Sequence, residues 1–90
     1  MKLNYEFVKR EVAGEQFLVP IGRAAMVFDG IITLNELGGF IFDCIPSCSD
    51  ENEIADKIAE SYDVDKETAS ADTHDFFVSL AQAGITAAAD

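Results

Sequence analysis

Apolar positions along the chain keep two different rhythms, and the change between them falls within residues 29–42. Ile31, Ile32 and Thr33 are β-branched and stiff at χ1, which suits a pleated strand. After them Leu37, Phe40, Ile41, Cys44 and Ile45 recur at the spacing of one helix face. Asn35 stands between the two patterns as a good N-cap, because its side-chain oxygen can accept an unpaired N–H of the first turn. The pattern predicts a strand over residues 30–34 running almost without a loop into a helix over about 36–45, which Pro46 ends. Asp29-Gly30 reads as a turn or bulge ahead of that strand. Gly38 and Gly39 inside the helix each cost about 1 kcal/mol relative to alanine, so they predict close approach by another backbone. Phe42 lies off the stripe, where it either caps the core or faces a partner.

Before this junction, Tyr5, Phe7 and Val8 sit among Glu6, Lys9, Arg10 and Glu11 in a loose alternation over residues 5–13. Gly14-Glu15 is a natural reversal, and residues 16–21 read as a second strand, giving a hairpin. Pro20 has no N–H and is expected near that strand's end or on an unpaired edge. Residues 22–29 read as a connection whose last residues approach strand geometry.

Two more helices follow. Asp50 with Glu53 three residues on has the spacing of a capping box, and Ile54, Ala55, Ile58, Ala59 and Tyr62 form the apolar stripe behind it. Asp63-Val64-Asp65 breaks that helix and supplies Asp65 as the next cap. The last helix, about 66–83, carries Ala69, Thr73, Phe76, Phe77 and Leu80 on one face and ends at Gly84, with Ile85 folding back. Residues 87–90 read as a frayed tail. Three strands are too few to stand alone, so the sheet is expected to bury one face on the helices. The fold class is α+β: a winged-helix-like domain, three N-terminal β-strands followed by three α-helices, with residues 1–90 as a single domain and an ordered core of about 5–86.

Composition narrows the function. Seventeen acidic against six basic side chains give a net charge of −11, and such a chain repels phosphate backbones. DNA-binding winged helices carry a basic recognition helix, whereas the last helix here carries Glu67, Asp72 and Asp75. No apolar run nears the roughly 20 residues needed to span a bilayer, and the N-terminus has no signal-type apolar core, which points to the cytoplasm.

Catalysis finds no foothold. There is no GxGxxG or GKS/GKT motif, no HExxH and no nucleophile elbow. The one histidine, His74, lacks an orienting pattern around it, and reads as a surface or satisfied helix residue. Cys44 and Cys48 cannot make a four-ligand zinc site alone; Cys44 lies on the apolar stripe and reads as packing, with a redox or metal role as the alternative. Asp72 and Asp75, at i,i+3, read as solvated charges or partner contacts. No cofactor is implied. A sheet edge offers the remaining chemistry: if the third strand is an edge strand, its unpaired N–H and C=O groups can take up an extended peptide. The residues leave open whether Ile31, Ile32 and Thr33 instead pair internally. A protein-interaction adaptor, or a transcription-linked winged-helix domain without DNA contact, is the competing reading.

The run Ile32-Thr33-Leu34-Asn35-Glu36-Leu37-Gly38-Gly39-Phe40-Ile41-Phe42, followed by Glu53-Ile54-Ala55, Tyr62-Asp63-Val64, Asp72, Phe76-Phe77, Leu80 and Gly84-Ile85, resembles the PqqD family. This family comprises pyrroloquinoline quinone biosynthesis protein D and related peptide-recognition domains of ribosomal peptide-modification pathways. Val8-Lys9-Arg10-Glu11-Val12-Ala13-Gly14 resembles its first strand, and the likeness spans about residues 5–86. Phe42 stands where relatives often carry tryptophan. The resemblance implies a non-catalytic peptide chaperone that holds the leader segment of a precursor peptide beside its third strand and delivers it to a modifying enzyme, often a radical-SAM protein. On this chain it implies peptide contacts at Gly30, Ile31, Ile32 and Thr33 on the strand and at Asp72, Asp75, Phe76 and Ser79 on the last helix. An acidic helix at that position suggests a leader with basic or apolar contacts.

Overall fold

The computed structural model describes residues 1–88. In chain order its elements are β1 (Lys2–Leu3), β2 (Glu6–Val12), β3 (Glu15–Ile21), α1 (Ala24–Val27), β4 (Ile32–Leu34), α2 (Glu36–Cys44), a 3-10 turn (Ile45–Ser47), α3 (Glu51–Tyr62), α4 (Lys66–Gln82) and β5 (Ala87–Ala88). They divide into a strand half, Tyr5–Phe40, and a helical half, Met1–Asn4 with Ile41–Asp90. Helix α2 begins in the first and ends in the second.

In the strand half, β2 and β3 form a hairpin in which Val12 faces Glu15 across the turn. The turn residues are Ala13 and Gly14, one position earlier than the sequence suggests, and both have positive φ, 52° and 84°. That is the type I′ geometry whose twist matches the flanking strands. β4 adds to the other side of β3, antiparallel, through Gln16–Leu34, Phe17–Thr33 and Leu18–Ile32. The sheet order is thus β2-β3-β4, with β3 in the centre. Pro20 lies beyond the last β3–β4 pair and near its strand's end, so its missing N–H costs no bond to β4.

Residues 22–29 are the connection that the sequence suggests, with Phe28 near its end in extended geometry at φ −105° and ψ 130°, but the part before Phe28 is not irregular. They contain the single turn α1, whose amides at Ala25, Met26 and Phe28 donate to the carbonyls of Gly22, Arg23 and Ala24. Ala24, Ala25 and Met26 are strong helix formers, and in a stretch without apolar period that local preference decides. Phe28, leaving the turn, packs edge-on against Tyr5 at 5.0 Å and against Phe7 at 5.7 Å. The Arg23 guanidinium stacks 4.4 Å from the Tyr5 ring centre.

Helix α2 starts as expected: Asn35 Oδ1 accepts the Gly38 amide at 2.7 Å. At Gly39 the close neighbour is a side chain and not a backbone: a Cβ there would meet the carboxamide end of Gln16, which would have to move aside.

In the helical half, Asp50 Oδ1 caps α3 by accepting the Glu53 amide at 2.9 Å, while Glu53 Oε2 accepts from Ser49 N–H, one residue before the cap. Ile54, Ala55 and Ile58 are buried, whereas Tyr62 is exposed. Asp65 caps α4 through the Thr68 amide at 2.7 Å. Ala69, Thr73, Phe77 and Leu80 are its buried stripe, and the Thr73 hydroxyl donates back to the Ala69 carbonyl at 2.7 Å. The helix ends in a Schellman motif: Gly84 has φ +88°, its amide donates to Ala81, and that of buried Ile85 donates to Leu80.

Residues 87 and 88 are not frayed. They form β5, paired antiparallel with β1 through Leu3–Ala87 and Lys2–Ala88. The Asn4 side chain braces this pair, accepting from Thr86 N–H at 2.8 Å and donating to the Gly84 carbonyl at 3.2 Å. Two-residue strands have no period to read, so ordered structure reaches beyond the span of 5–86 that the sequence suggests. The expectation for residues 89 and 90 lies outside the described residues.

Candidate functional site

The topology decides what the sequence left open about the third strand. β4 lies at a sheet margin, and among the described residues it pairs with β3 and no other strand. Its outward N–H and C=O groups are therefore free of ladder partners, a template for an added strand. β2 forms the opposite margin, but the two differ in chemistry. Along β2 run Glu6, Lys9, Arg10 and Glu11, the kind of charged side chains that guard an edge. From Ile31 to Leu34 there is no charge at all.

The strand-borne candidates divide in two. Ile32 and Thr33 lie in β4; Gly30 and Ile31 precede it, since Gly30 takes φ +95° and turns the chain before pairing begins. Leu34 is buried, Ile32 half-buried, and Thr33 exposed, so the strand alternates between a covered and an open face. The helix-borne candidates Asp72, Asp75, Phe76 and Ser79 share one face of α4, about 100° around the axis from the buried stripe. Phe76 is half-buried and packs edge-on against Phe77 with ring centres 5.6 Å apart; the other three are exposed.

Reactive groups are quiet. Cys44 and Cys48 are free and buried. Burial, with Cys48 beside it, pushes the Cys44 thiol up, an effect that Lys57 only partly offsets, so it is a poor nucleophile at neutral pH. His74 is exposed, with Nδ1 3.3 Å from Glu51 Oε1. Among the described residues no three His, Cys, Asp or Glu side chains converge on a possible metal position, and no helix is long and apolar enough to cross a membrane.

Sequence reasoning missed a second feature of the strand half. Met26 and Val27 on α1 are 87% and 54% exposed, and Ile31 is 54% exposed. Three such residues within six positions gave a signal in their lack of any helix or strand period, but no element on which to place them.

The chain is thus a small α+β domain whose three-stranded sheet has one uncharged, open margin. The sequence pattern of the family described as coenzyme PQQ synthesis protein D (PqqD) matches residues 15–85, and the chain belongs to that family. Among solved structures, TbiB1 in complex with the TbiA(beta) leader peptide matches with a TM-score of 0.72 and 25% identity over 100% of both chains. Among curated proteins nothing matches.

Proposed function

We propose that this chain is a non-catalytic carrier acting in the cytoplasm, which binds the leader segment of a ribosomally made precursor peptide as a strand on the free margin of β4 and presents it to a modifying enzyme such as a radical-SAM protein. The observation that carries this reading is the contrast between the two sheet margins: the outer edge of β4 is uncharged, whereas β2 is studded with charge. TbiB1, matched over its full length, was solved with a leader peptide, and family membership supports the same role here.

Energetics limit what the margin does alone. Three residues offer roughly two or three main-chain hydrogen bonds, each worth about 1 kcal/mol net. A micromolar complex needs about 8 kcal/mol. Side-chain burial has to supply most of the difference, and for this we assign Gly30, Ile31, Ile32 and Thr33 as strand contacts and Asp72, Asp75, Phe76 and Ser79 as helix contacts of the same peptide.

The test is a titration of a synthetic leader, taken from a precursor gene beside this one, with a set of peptides each bearing one N-methylated amide. Loss of affinity at alternate positions is the mark of a strand ladder. Binding that ignores N-methylation everywhere would overturn strand addition, and absence of binding at tens of micromolar to the folded chain would overturn the carrier role. Ile32→Pro, checked for folding by circular dichroism, is expected to abolish binding.

A further inference from the structure

We infer that the β2 margin takes a second copy of this chain, the two β2 strands pairing antiparallel about Val8 so that two sheets become one. Among the described residues β2 pairs with β3 and with no other strand, so its outer N–H and C=O groups have no ladder partner. The hairpin turn decides which groups these are. A two-residue turn closes on a hydrogen-bonded pair, here Val12 and Glu15, and bonded pairs alternate along an antiparallel ladder. Glu6, Val8, Arg10 and Val12 therefore bond to β3, and the main-chain groups of Phe7, Lys9 and Glu11 point outward.

Charge decides what pairs there. Charged side chains bar a strand that does not match them, and the strand that β2 matches is its own reverse. A two-fold axis that joins two such edges sets one residue opposite itself, since directly opposed residues share a face. Centring it on Glu6, Lys9, Arg10 or Glu11 sets like charges face to face, which is destabilising. Centring it on Phe7 overlaps only residues 6–8 and forms no ion pair. Centred on Val8, the axis sets Glu6 across from Arg10 of the copy at both ends of the contact, and both side chains are exposed. Phe7 and Lys9 then face each other with outward main-chain groups and exchange roughly four hydrogen bonds in all. The Glu6–Arg10 and Val8–Val8 pairs take the non-bonded sites, where opposed side chains stand closest.

The sheet face supports the same pairing. Residues opposite one another in the hairpin share a face, which puts Glu6, Val8 and Arg10 with Ile21, Val19 and Phe17 on one side. Leu18 and Gln16 project from the other side, where Leu18 is buried and Gln16 meets α2 at Gly39. Joining the copies about Val8 sets Val19 and Val8 of each in one apolar row, with an ion pair on either side of it. The strand half carries five acidic against three basic residues, so mutual repulsion is weaker here than at the helical half, with twelve against three. One strand from each copy makes a small interface, and the association falls in the weak class. Both β4 margins stay at the outer ends of the joined sheet, open to a guest.

The measurement is sedimentation equilibrium of the chain from about 10 to about 500 μM at about 0.15 M salt. Wild type is expected to rise from the mass of one chain towards that of two. E6R and R10E each set like charges across both ends of the contact, and each is expected to weaken the dimer roughly tenfold or more, with unchanged circular dichroism. E6R does so although it lowers the chain's net negative charge. An equimolar mixture of E6R and R10E restores both ion pairs in a heterodimer and is expected to associate within about threefold of wild type. A chain that stays monomeric throughout overturns the pairing. A dimer that either reversal leaves unweakened also overturns it, because it would sit on another surface. Losses in both variants without recovery in the mixture overturn it as well, since opposed charges would then not be in contact.

Discussion

The strand half and the helical half use the same kinds of residue to opposite ends. Residues 5–40 keep only Leu18, Ala24 and Leu34 as buried apolar side chains and expose Val12, Ile21, Met26, Val27 and Ile31. The helical half buries eleven apolar residues among those described, from Ile41 to Ile85, and its exposed large hydrophobics, Tyr62, Val64 and Val78, are each only about two-fifths open. Charge follows the same split: the helical half holds twelve acidic against three basic residues, the strand half five against three. One half uses its apolar surface for cohesion and carries a negative surface that repels anions and attracts cations; the other leaves apolar surface free. A recognition module needs both, since a sheet margin open enough to take a guest adds little to its own stability.

The sharpest way to break this contrast is to cut into the helical core. Ile58→Ala is expected to destabilise the chain by about 2–5 kcal/mol in urea melts, because Ile58 is buried in α3. A loss below about 1 kcal/mol would mean that the helical half is not where stability resides. Next in size is electrostatic selection. Under the carrier reading, a leader variant of net charge about +3 is expected to bind roughly tenfold tighter than its −3 counterpart at low salt, the gap closing towards 0.5 M. Equal affinity at low salt would show that the acidic half does not influence the guest. Asp50→Ala, which removes the acceptor of the Glu53 amide, is expected to cost about 1 kcal/mol. In the strand half the corresponding lever runs the other way: Ala13→Asn places a residue suited to positive φ in the hairpin turn and is expected to raise stability by about 0.5–1 kcal/mol. The smallest effect is a pH dependence. Thr68, through its backbone amide and then its hydroxyl, holds the Asp65 carboxyl below the usual aspartate range. A depressed carboxylate contributes stability that is present above the unfolded value of about 3.9 and lost as pH falls through the folded value. Asp65→Asn is expected to flatten the acid limb of the stability profile below that pH, and an unchanged limb would assign it to other groups.

Much of the local structure was legible because single side chains set it. Asn35, Asp50 and Asp65 cap the helices they precede in sequence, and Gly84 with Ile85 closes α4, since these roles depend on chemistry a few residues wide. Gly39 signalled a close approach, but the sequence could not say that the neighbour is Gln16, which is paired with Leu34 across β3 and β4. β1 and β5 escaped notice because two residues cannot show a period, and α1 because Ala24-Ala25-Met26 shows helix preference without a face. At the candidate site the pattern of residues 30–34 suggests one strand, yet the positive φ of Gly30 delays pairing until Ile32. Whether that strand is central or marginal is a property of sheet order, which no local pattern encodes.

The β1–β5 clasp has one more consequence. Lys2 and Leu3 are fastened to Ala88 and Ala87, so the two stretches of the helical unit, one before residue 5 and one after residue 40, are clasped to each other, and residues 5–40 are an insertion in sequence between them. Under the carrier reading, substitutions at residues 30–33 fall wholly within that insertion and touch neither strand of the clasp.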